Sequence, residues 1–253
     1  MGLLPNQSAA NLPLMKRLVF LPLAVALVIS SLSALAENTA TTPAPRDENW
    51  VKRHEGFVVE AEKGSVDLLF LGDSITDGWR NKGRAVWDKN CAPRHALNLG
   101  ISGDRTQHVL WRMENGELKN LKPKVVMLMI GTNNTGKERD GKPRNTTPEI
   151  IEGVSAVVKG LRAKLPDSKI LLLAIFPRGE KDTPIRDQLK EINTSLAKLD
   201  DGKMVTFLDI GPKFLDADGT LPKEIMPDLL HPNEKGYQIW ADAINPTLDK
   251  LMK

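Results

Sequence analysis

The sequence predicts an α/β fold, a three-layer α/β/α sandwich whose central parallel sheet has about five strands. Five apolar runs support this prediction, because they are short and nearly continuous, as in strands buried on both faces of a sheet. They cover residues 66–72, 96–100, 125–131, 169–176 and 205–210. Helical patterns lie between several of these runs, and strands alternating with helices favour right-handed βαβ units.

Three helices are predicted from apolar residues that recur at helical spacing. Their apolar faces span 150–165, 185–199 and 237–251. The first two begin with a Thr-Pro pair, at Thr147 and at Thr183, which supplies an N-cap and a proline suited to the first turn. The third helix closes the predicted domain.

The N-terminal segment has the features of a secretory signal peptide. A basic pair at 16–17 precedes an apolar core over 18–29, and an A-x-A cleavage pattern ends at Ala36. We therefore predict a signal peptide with an upstream extension over 1–36 and cleavage near Ala36. Met15 is the more natural start of such a signal. The mature protein is then expected to be secreted or periplasmic with no stable membrane span, and an uncleaved anchor is the alternative.

Residues 37–49 are rich in Thr, Pro and Ala, which is typical of a flexible lead-in. The folded domain is predicted to cover 50–253. The chain has 41% hydrophobic and 26% charged residues and a net charge of +3, as in an ordinary globular protein. No long Lys/Arg block is present, so no nucleic-acid partner is indicated. Cys91 is the single cysteine, which excludes an internal disulfide.

Small and polar residues follow the predicted strands. Ser74 follows the first strand, Gly103 the second and Asn133 the third, and Asp228 and His231 lie near the C-terminus. In open α/β sheets, ligands bind outside the carboxyl ends of the strands. We therefore expect these five residues to gather at one edge of the sheet.

These residue types suit nucleophilic catalysis by a serine. The hydroxyl of Ser74 would need a base within hydrogen-bond reach, usually a His whose tautomer a carboxylate holds. Asp228 and His231 are three residues apart, so both side chains can lie on one side of a turn. Candidate donors to an oxyanion are the N–H groups of Ser74 and Gly103 and the amide of Asn133. Each residue alone is also an ordinary turn or cap residue, and the combination carries the prediction.

The acidic residues allow a second interpretation, a site for a hard cation. Its ligands would be Asp73, Asp77, Asp104, Asp228 and His231. That site would leave the glycines and Asn133 without a role, so no metal is predicted. Asp73 is instead expected to tie its loop through backbone hydrogen bonds.

Four stretches of the chain, GDSITDGW, LNLGISGDRTQHVLW, GTNN and DLLHPNEKGY, resemble the four sequence blocks of the SGNH (GDSL) hydrolase family. Within it, the chain is similar over roughly 66–240 to the catalytic subunits of intracellular platelet-activating-factor acetylhydrolase isoform Ib. The resemblance implies a flavodoxin-like sandwich, a catalytic domain over 50–253 and no cofactor. It implies these site residues: Ser74 as nucleophile, His231 as base, Asp228 as its orienting acid, and Ser74, Gly103 and Asn133 as the oxyanion hole. The related subunits pair, so a homodimer stays open.

The expected substrate is a small ester with a short acyl group. Ile75, Thr132 and Leu230 adjoin the catalytic positions, and if they wall the acyl pocket, that pocket suits an acetyl group. Because the predicted export differs from the intracellular relatives, an acetylated carbohydrate is the expected substrate. The alternatives are an acetyl- or lysophospholipid hydrolase, a thioesterase with the same site, and a non-catalytic carbohydrate-binding module on the same fold.

Overall fold

The structure of the protein is a computed structural model that describes residues 37–63 and 65–253. The predicted signal peptide, its upstream extension and the cleavage point at Ala36 lie outside the described residues. Residues 37–253 group as one compact unit. Within the described part, no helix combines the length and the apolar character that a membrane crossing requires.

A sheet of five parallel strands forms the centre of the fold, as the sequence predicts. The strands are β1 (Leu68–Gly72), β2 (Ala96–Asn98), β3 (Val125–Met129), β4 (Lys169–Leu173) and β5 (Val205–Leu208). Their spatial order is β2-β1-β3-β4-β5, which is the flavodoxin-like order. In register, Leu69 on β1 faces Leu97 on β2 and Val126 on β3.

Seven α-helices connect and cover the strands in the described part of the chain. They are α1 (Glu48–Ala61), α2 (Ser74–Asp77), α3 (Arg84–Asn90), α4 (Thr106–Glu114), α5 (Thr147–Lys164), α6 (Pro184–Leu196) and α7 (Glu234–Leu251). The three helices predicted from periodicity are α5, α6 and α7. The N-cap of α5 is Thr146 rather than the predicted Thr147, because Thr146 and Glu149 form a reciprocal capping box.

The two faces of the sheet carry separate hydrophobic clusters. Leu69 and Leu71 on β1 pack with α1, α4, α5 and α6, whereas Leu68 and Phe70 pack with α3 and α7. Alternate strand residues point to opposite faces, so both faces are covered by helices. This arrangement is the predicted three-layer α/β/α sandwich.

The segment over 37–49, for which the composition predicts a flexible lead-in, packs against the domain in the structure. Ala40 is fully buried, and its carbonyl accepts a hydrogen bond of 2.7 Å from Thr106 Oγ1. The space for Ala40 exists because Gly153 on α5 has no side chain; a Cβ there would lie 2.9 Å from the Ala40 Cβ. Asp47 then caps α1 by accepting from the N–H of Trp50. The packing depends on contacts distant in sequence, which the local composition does not reveal.

Candidate active site

Ser74 lies directly at the carboxyl end of β1, as the first residue of α2. Asp73 is the N-cap of this short helix, and its side chain accepts a hydrogen bond from the N–H of Ile75 at 3.0 Å. Gly72 permits the close approach of β1 to β3, since a Cβ there would lie 2.4 Å from the carbonyl oxygen of Met129. The chain is therefore held tightly on both sides of the serine hydroxyl.

The structure brings Ser74, His231 and Asp228 together. Ser74 Oγ lies 2.9 Å from His231 Nε2, and His231 Nδ1 lies 2.7 Å from Asp228 Oδ2. The other oxygen of Asp228 accepts hydrogen bonds from the backbone N–H groups of Leu230 and His231. Burial raises the pKa of Asp228, but the hydrogen bonds from His231 outweigh it and lower the pKa to about 2. Asp228 is therefore ionised beside the imidazole at neutral pH.

The loop that carries His231 is fixed by backbone contacts. Leu229 has a positive φ of 56°, and its carbonyl accepts a hydrogen bond of 2.8 Å from the N–H of Gly179, in the loop after β4. Asn233 caps α7 by accepting from the N–H of Gly236. The imidazole is consequently placed by a turn anchored at both ends.

Gly103 and Asn133 lie in the loops that follow β2 and β3, the two neighbours of β1 in the sheet. Gly103 has a φ of 84°, which an L residue adopts only with strain. One N–H of the Asn133 amide donates to the carbonyl of Asp104 at 2.9 Å, which ties the two loops together. A primary amide has a second N–H, which makes no hydrogen bond within the described residues.

Beneath these loops lies a buried ionic network that the sequence analysis did not identify. Asp104 is fully buried, 3.0 Å from Arg112 Nε, and accepts a hydrogen bond of 2.6 Å from Trp50 Nε1. Arg112 is also fully buried, pairs with Glu117 and donates to the carbonyl of Leu99 at 2.7 Å. Burial raises the pKa of Glu117 to about 7, against the opposing effect of Arg112. These residues form the pattern D-x₇-R-x₄-E over 104–117, but this spacing does not indicate a buried ionic network.

Asp73 ties its loop as expected, and it is almost completely buried. Burial raises the pKa of Asp73 to about 7, even though the N–H of Ile75 donates to it. The carbonyl of Ile75 accepts a hydrogen bond of 2.7 Å from the hydroxyl of Tyr237 on α7. Asp73 and Tyr237 thus hold the N–H and the carbonyl of Ile75, the residue that follows Ser74.

The three residues expected to wall an acyl pocket differ in exposure. Ile75 is 1% exposed and packs in the core with α7, and Thr132 is 2% exposed. Leu230 is half-buried beside His231. Ile75 and Thr132 therefore present almost no surface to a ligand in this conformation. A groove of about 640 Å³ lies elsewhere, at the β5 edge between α6 and the loop after β5.

The acidic residues of the alternative cation site are dispersed among other partners. Asp77 pairs with Arg53 and accepts a hydrogen bond of 2.8 Å from Ser102 Oγ, and Asp104 belongs to the buried network. Within 37–63 and 65–253, no three His, Cys, Asp or Glu side chains converge as metal ligands.

The profile of the GDSL-like lipase/acylhydrolase family matches residues 70–239. The chain belongs to this family. Membership confirms the resemblance read from the four sequence stretches, and it identifies the chain as a carboxylic ester hydrolase.

The chain is also similar to two named proteins over most of its length. The chain is 34% identical over 222 residues to human platelet-activating factor acetylhydrolase IB subunit alpha1, covering 85% of this chain and 92% of that protein. It is 38% identical over 211 residues to the human alpha2 subunit, covering 82% and 86%.

Solved structures share the GDSL hydrolase fold at lower identity. A catalytic mutant of an acetylxylan esterase from Geobacillus stearothermophilus superposes with a TM-score of 0.58 at 21% identity, covering 74% of this chain and 95% of that one. A GDSL-like lipase from Bacteroides thetaiotaomicron gives 0.60 at 20% identity, covering 79% and 97%.

Proposed function

We propose that the protein hydrolyses short-chain acyl esters, with acetylated carbohydrate as the substrate, through an acyl-enzyme on Ser74. The hydrogen-bonded series Ser74 Oγ, His231 Nε2, His231 Nδ1 and Asp228 Oδ2 carries this proposal, with distances of 2.9 and 2.7 Å. It is the arrangement that a serine nucleophile requires.

In the first half-reaction, Ser74 Oγ attacks the ester carbonyl while His231 Nε2 takes the hydroxyl proton. The N–H groups of Ser74 and Gly103 and the free N–H of Asn133 hold the oxyanion. The tetrahedral intermediate then collapses, the carbon–oxygen bond of the alcohol breaks, and His231 gives its proton to that oxygen. Asp228 keeps the imidazole in the tautomer that accepts at Nε2 and stabilises the imidazolium.

In the second half-reaction, water attacks the acyl-serine. His231 removes a proton from the water and returns it to Ser74 Oγ as the carboxylic acid leaves. The same oxyanion donors act again, and the enzyme regains its starting protonation state.

Two kinds of support favour an acetyl group on a carbohydrate. The names of the relatives include acetylhydrolase and acetylxylan esterase, and the predicted signal peptide would place the protein where polysaccharides occur. We propose that Leu230, Ile75 and Thr132 bound a small acyl site, in which Leu230 is the most accessible of the three. An acetyl- or lysophospholipid hydrolase is the second candidate, favoured by the 34–38% identity to the platelet-activating factor acetylhydrolase subunits.

The purified protein should be compared on peracetylated xylose, an acetyl phospholipid and p-nitrophenyl acetate, with Ser74→Ala as the control. We expect the highest kcat/KM on the sugar acetate and no hydrolysis by Ser74→Ala. A higher kcat/KM on the phospholipid would replace carbohydrate by lipid as the substrate class.

Acyl length is tested with p-nitrophenyl esters of two to twelve carbons. We expect kcat/KM to fall steadily beyond four carbons. A maximum at eight or more carbons would contradict a small acyl site. We further propose export and cleavage near Ala36, which N-terminal sequencing of the protein recovered outside the cytoplasm would test.

A further inference from the structure

Three arginines reach the two oxyanion-hole loops from three separate parts of the chain. Arg46, from the packed lead-in, donates through Nη1 to the carbonyl of Ser102 at 2.7 Å. Arg144 donates through Nη1 to the carbonyl of Asn133 at 2.8 Å, and Arg178, after β4, donates to the carbonyl of Thr132 at 3.2 Å. All three guanidinium groups therefore contact the loops that carry the proposed oxyanion donors.

Each of these guanidinium groups retains unused donors. Within the described residues, Nη2 of Arg46, Arg144 and Arg178 makes no hydrogen bond to a protein acceptor. The side chains of Arg46 and Arg144 are 31% and 28% exposed, and Arg178 is half-buried. Solvent, or a ligand, can therefore reach this part of the molecule.

The arginines lie within electrostatic range of one another. Burial lowers the pKa of Arg144, and three further guanidinium groups lower it in addition, those of Arg105, Arg178 and Arg46. Within the described residues, an exposed carboxylate, that of Glu138, lies 2.6 Å from Arg105 and 3.9 Å from Arg144.

Two other acidic groups near the arginines are buried and already bind other partners. Asp104, 3.3 Å from Arg46, is enclosed and shared with Arg112 and Trp50. Asp73, which attracts Arg178 electrostatically, is buried and caps α2. The exposed side of the cluster thus carries excess positive charge.

Guanidinium groups bind carboxylates and phosphates in preference to neutral groups, because their planar donors match two oxygens at once. We propose that Arg46, Arg144 and Arg178 form an anion-binding subsite beside the oxyanion hole, which selects esters whose alcohol carries a carboxylate or a phosphate. This proposal rests on the function proposed above and narrows its substrate class to esters of anionic alcohols. An acetylated sugar acid or sugar phosphate would place its acetyl group at Ser74 and its anionic group at the arginines.

Matched synthetic esters test the subsite. 4-Acetoxybenzoate and 4-acetoxyphenyl phosphate supply the two anionic groups, and 4-acetoxybenzamide is the neutral counterpart. The readout is the ratio of kcat/KM for an anionic ester to that for the neutral ester, measured for wild type and for Arg46→Gln, Arg144→Gln and Arg178→Gln. Intrinsic reactivity of the esters cancels when variants are compared with wild type. Arg84→Gln is the matched control, since Arg84 is an exposed arginine of α3 paired with Asp88.

We expect at least one subsite variant to lower the ratio about 10-fold, the effect of one charged hydrogen bond, and Arg84→Gln to leave it unchanged. Raising the salt concentration should lower the wild-type ratio because exposed charges are screened. Comparing 4-acetoxybenzoate with 4-acetoxyphenyl phosphate shows which anion the subsite prefers. Equal losses on anionic and neutral esters would overturn the subsite and leave the arginines as supports of the loops.

A binding measurement separates this proposal from the proposed function. Calorimetry of 4-hydroxybenzoate and of inorganic phosphate with Ser74→Ala protein requires no catalysis. Binding that weakens in Ser74→Ala/Arg178→Gln, but not in Ser74→Ala/Arg84→Gln, supports the subsite whether or not the esters are hydrolysed. Binding that is absent or equal in all variants contradicts it.

Discussion

The two sides of the proposed catalytic centre are built differently. On one side, Asp228 and His231 are partly exposed, with side chains 55% and 32% accessible, and contacts three residues apart in sequence hold them. On the other side, the loops of Gly103 and Asn133 rest on Asp104 and Arg112, which are fully buried and joined to Trp50 and Glu117. The base and its carboxylate thus form a partly exposed pair on a turn that Gly179 anchors, whereas the oxyanion loops rest on fully buried charges.

The largest effect is expected at the residue that both sides share. Ser74→Ala removes the nucleophile, so kcat on p-nitrophenyl acetate should fall by about 10⁶-fold, as for loss of a serine nucleophile in other hydrolases. Steady-state kinetics measures this, and the melting temperature should stay near that of wild type because Ser74 is partly exposed. A variant that keeps a tenth of the wild-type rate would remove Ser74 from the mechanism.

A second change tests how much the buried ionic network beneath the oxyanion loops stabilises the fold. Arg112→Met leaves Asp104 and Glu117 buried without their cation, so the free energy of unfolding should fall by about 3–5 kcal/mol. Urea denaturation measures the loss. Arg84→Met on the surface is the control and should stay within about 0.5 kcal/mol of wild type. An unchanged midpoint for Arg112→Met would show that the buried network contributes little to the fold.

A third change tests the oxyanion side through catalysis. Asn133→Ala removes one donor to the oxyanion, so kcat should fall about 10²-fold or more, roughly 3 kcal/mol. KM should change little, and the melting temperature should fall slightly because the hydrogen bond to the Asp104 carbonyl is also lost. The exposed Asn120 gives the control Asn120→Ala, for which kcat should be retained. If Asn133→Ala instead raised KM with kcat intact, Asn133 would bind substrate without stabilising the transition state.

The last prediction concerns pH. Burial raises the pKa of Asp73 from 3.8 to about 7, so the folded protein binds more protons than the unfolded chain between these values. The stabilising contribution of protonated Asp73 is complete below about pH 4 and is lost as the pH rises through 7, by at most about 1.4 kcal/mol per pH unit. Urea denaturation of wild type and Asp73→Asn from pH 4 to 8 measures the difference, because Asn caps α2 without titrating. Parallel pH profiles for the two proteins would contradict the buried, protonated Asp73.

The comparison of the two sides also explains what could be predicted from the sequence. The five strands were predictable because strands buried on both faces are continuous apolar runs, and Ser74, Asp228 and His231 because each lies in a short motif beside a strand end or turn. The burial of the Arg112–Glu117 ion pair was not predictable, since buried and exposed ion pairs have the same residue types and spacing in a sequence. The lead-in was interpreted from its composition alone, and its contacts with α4 and α5 come from residues more than sixty positions away.

Acyl transfer to Ser74 is the central claim, and rapid-quench mass spectrometry tests it most directly. The protein would be mixed with p-nitrophenyl acetate, quenched in acid within milliseconds, digested and mapped. We predict one acetyl group on the peptide that contains Ser74, appearing before steady state and absent from Ser74→Ala. An acetyl group on another residue, or full turnover with no acetylated peptide at any time, would contradict the account.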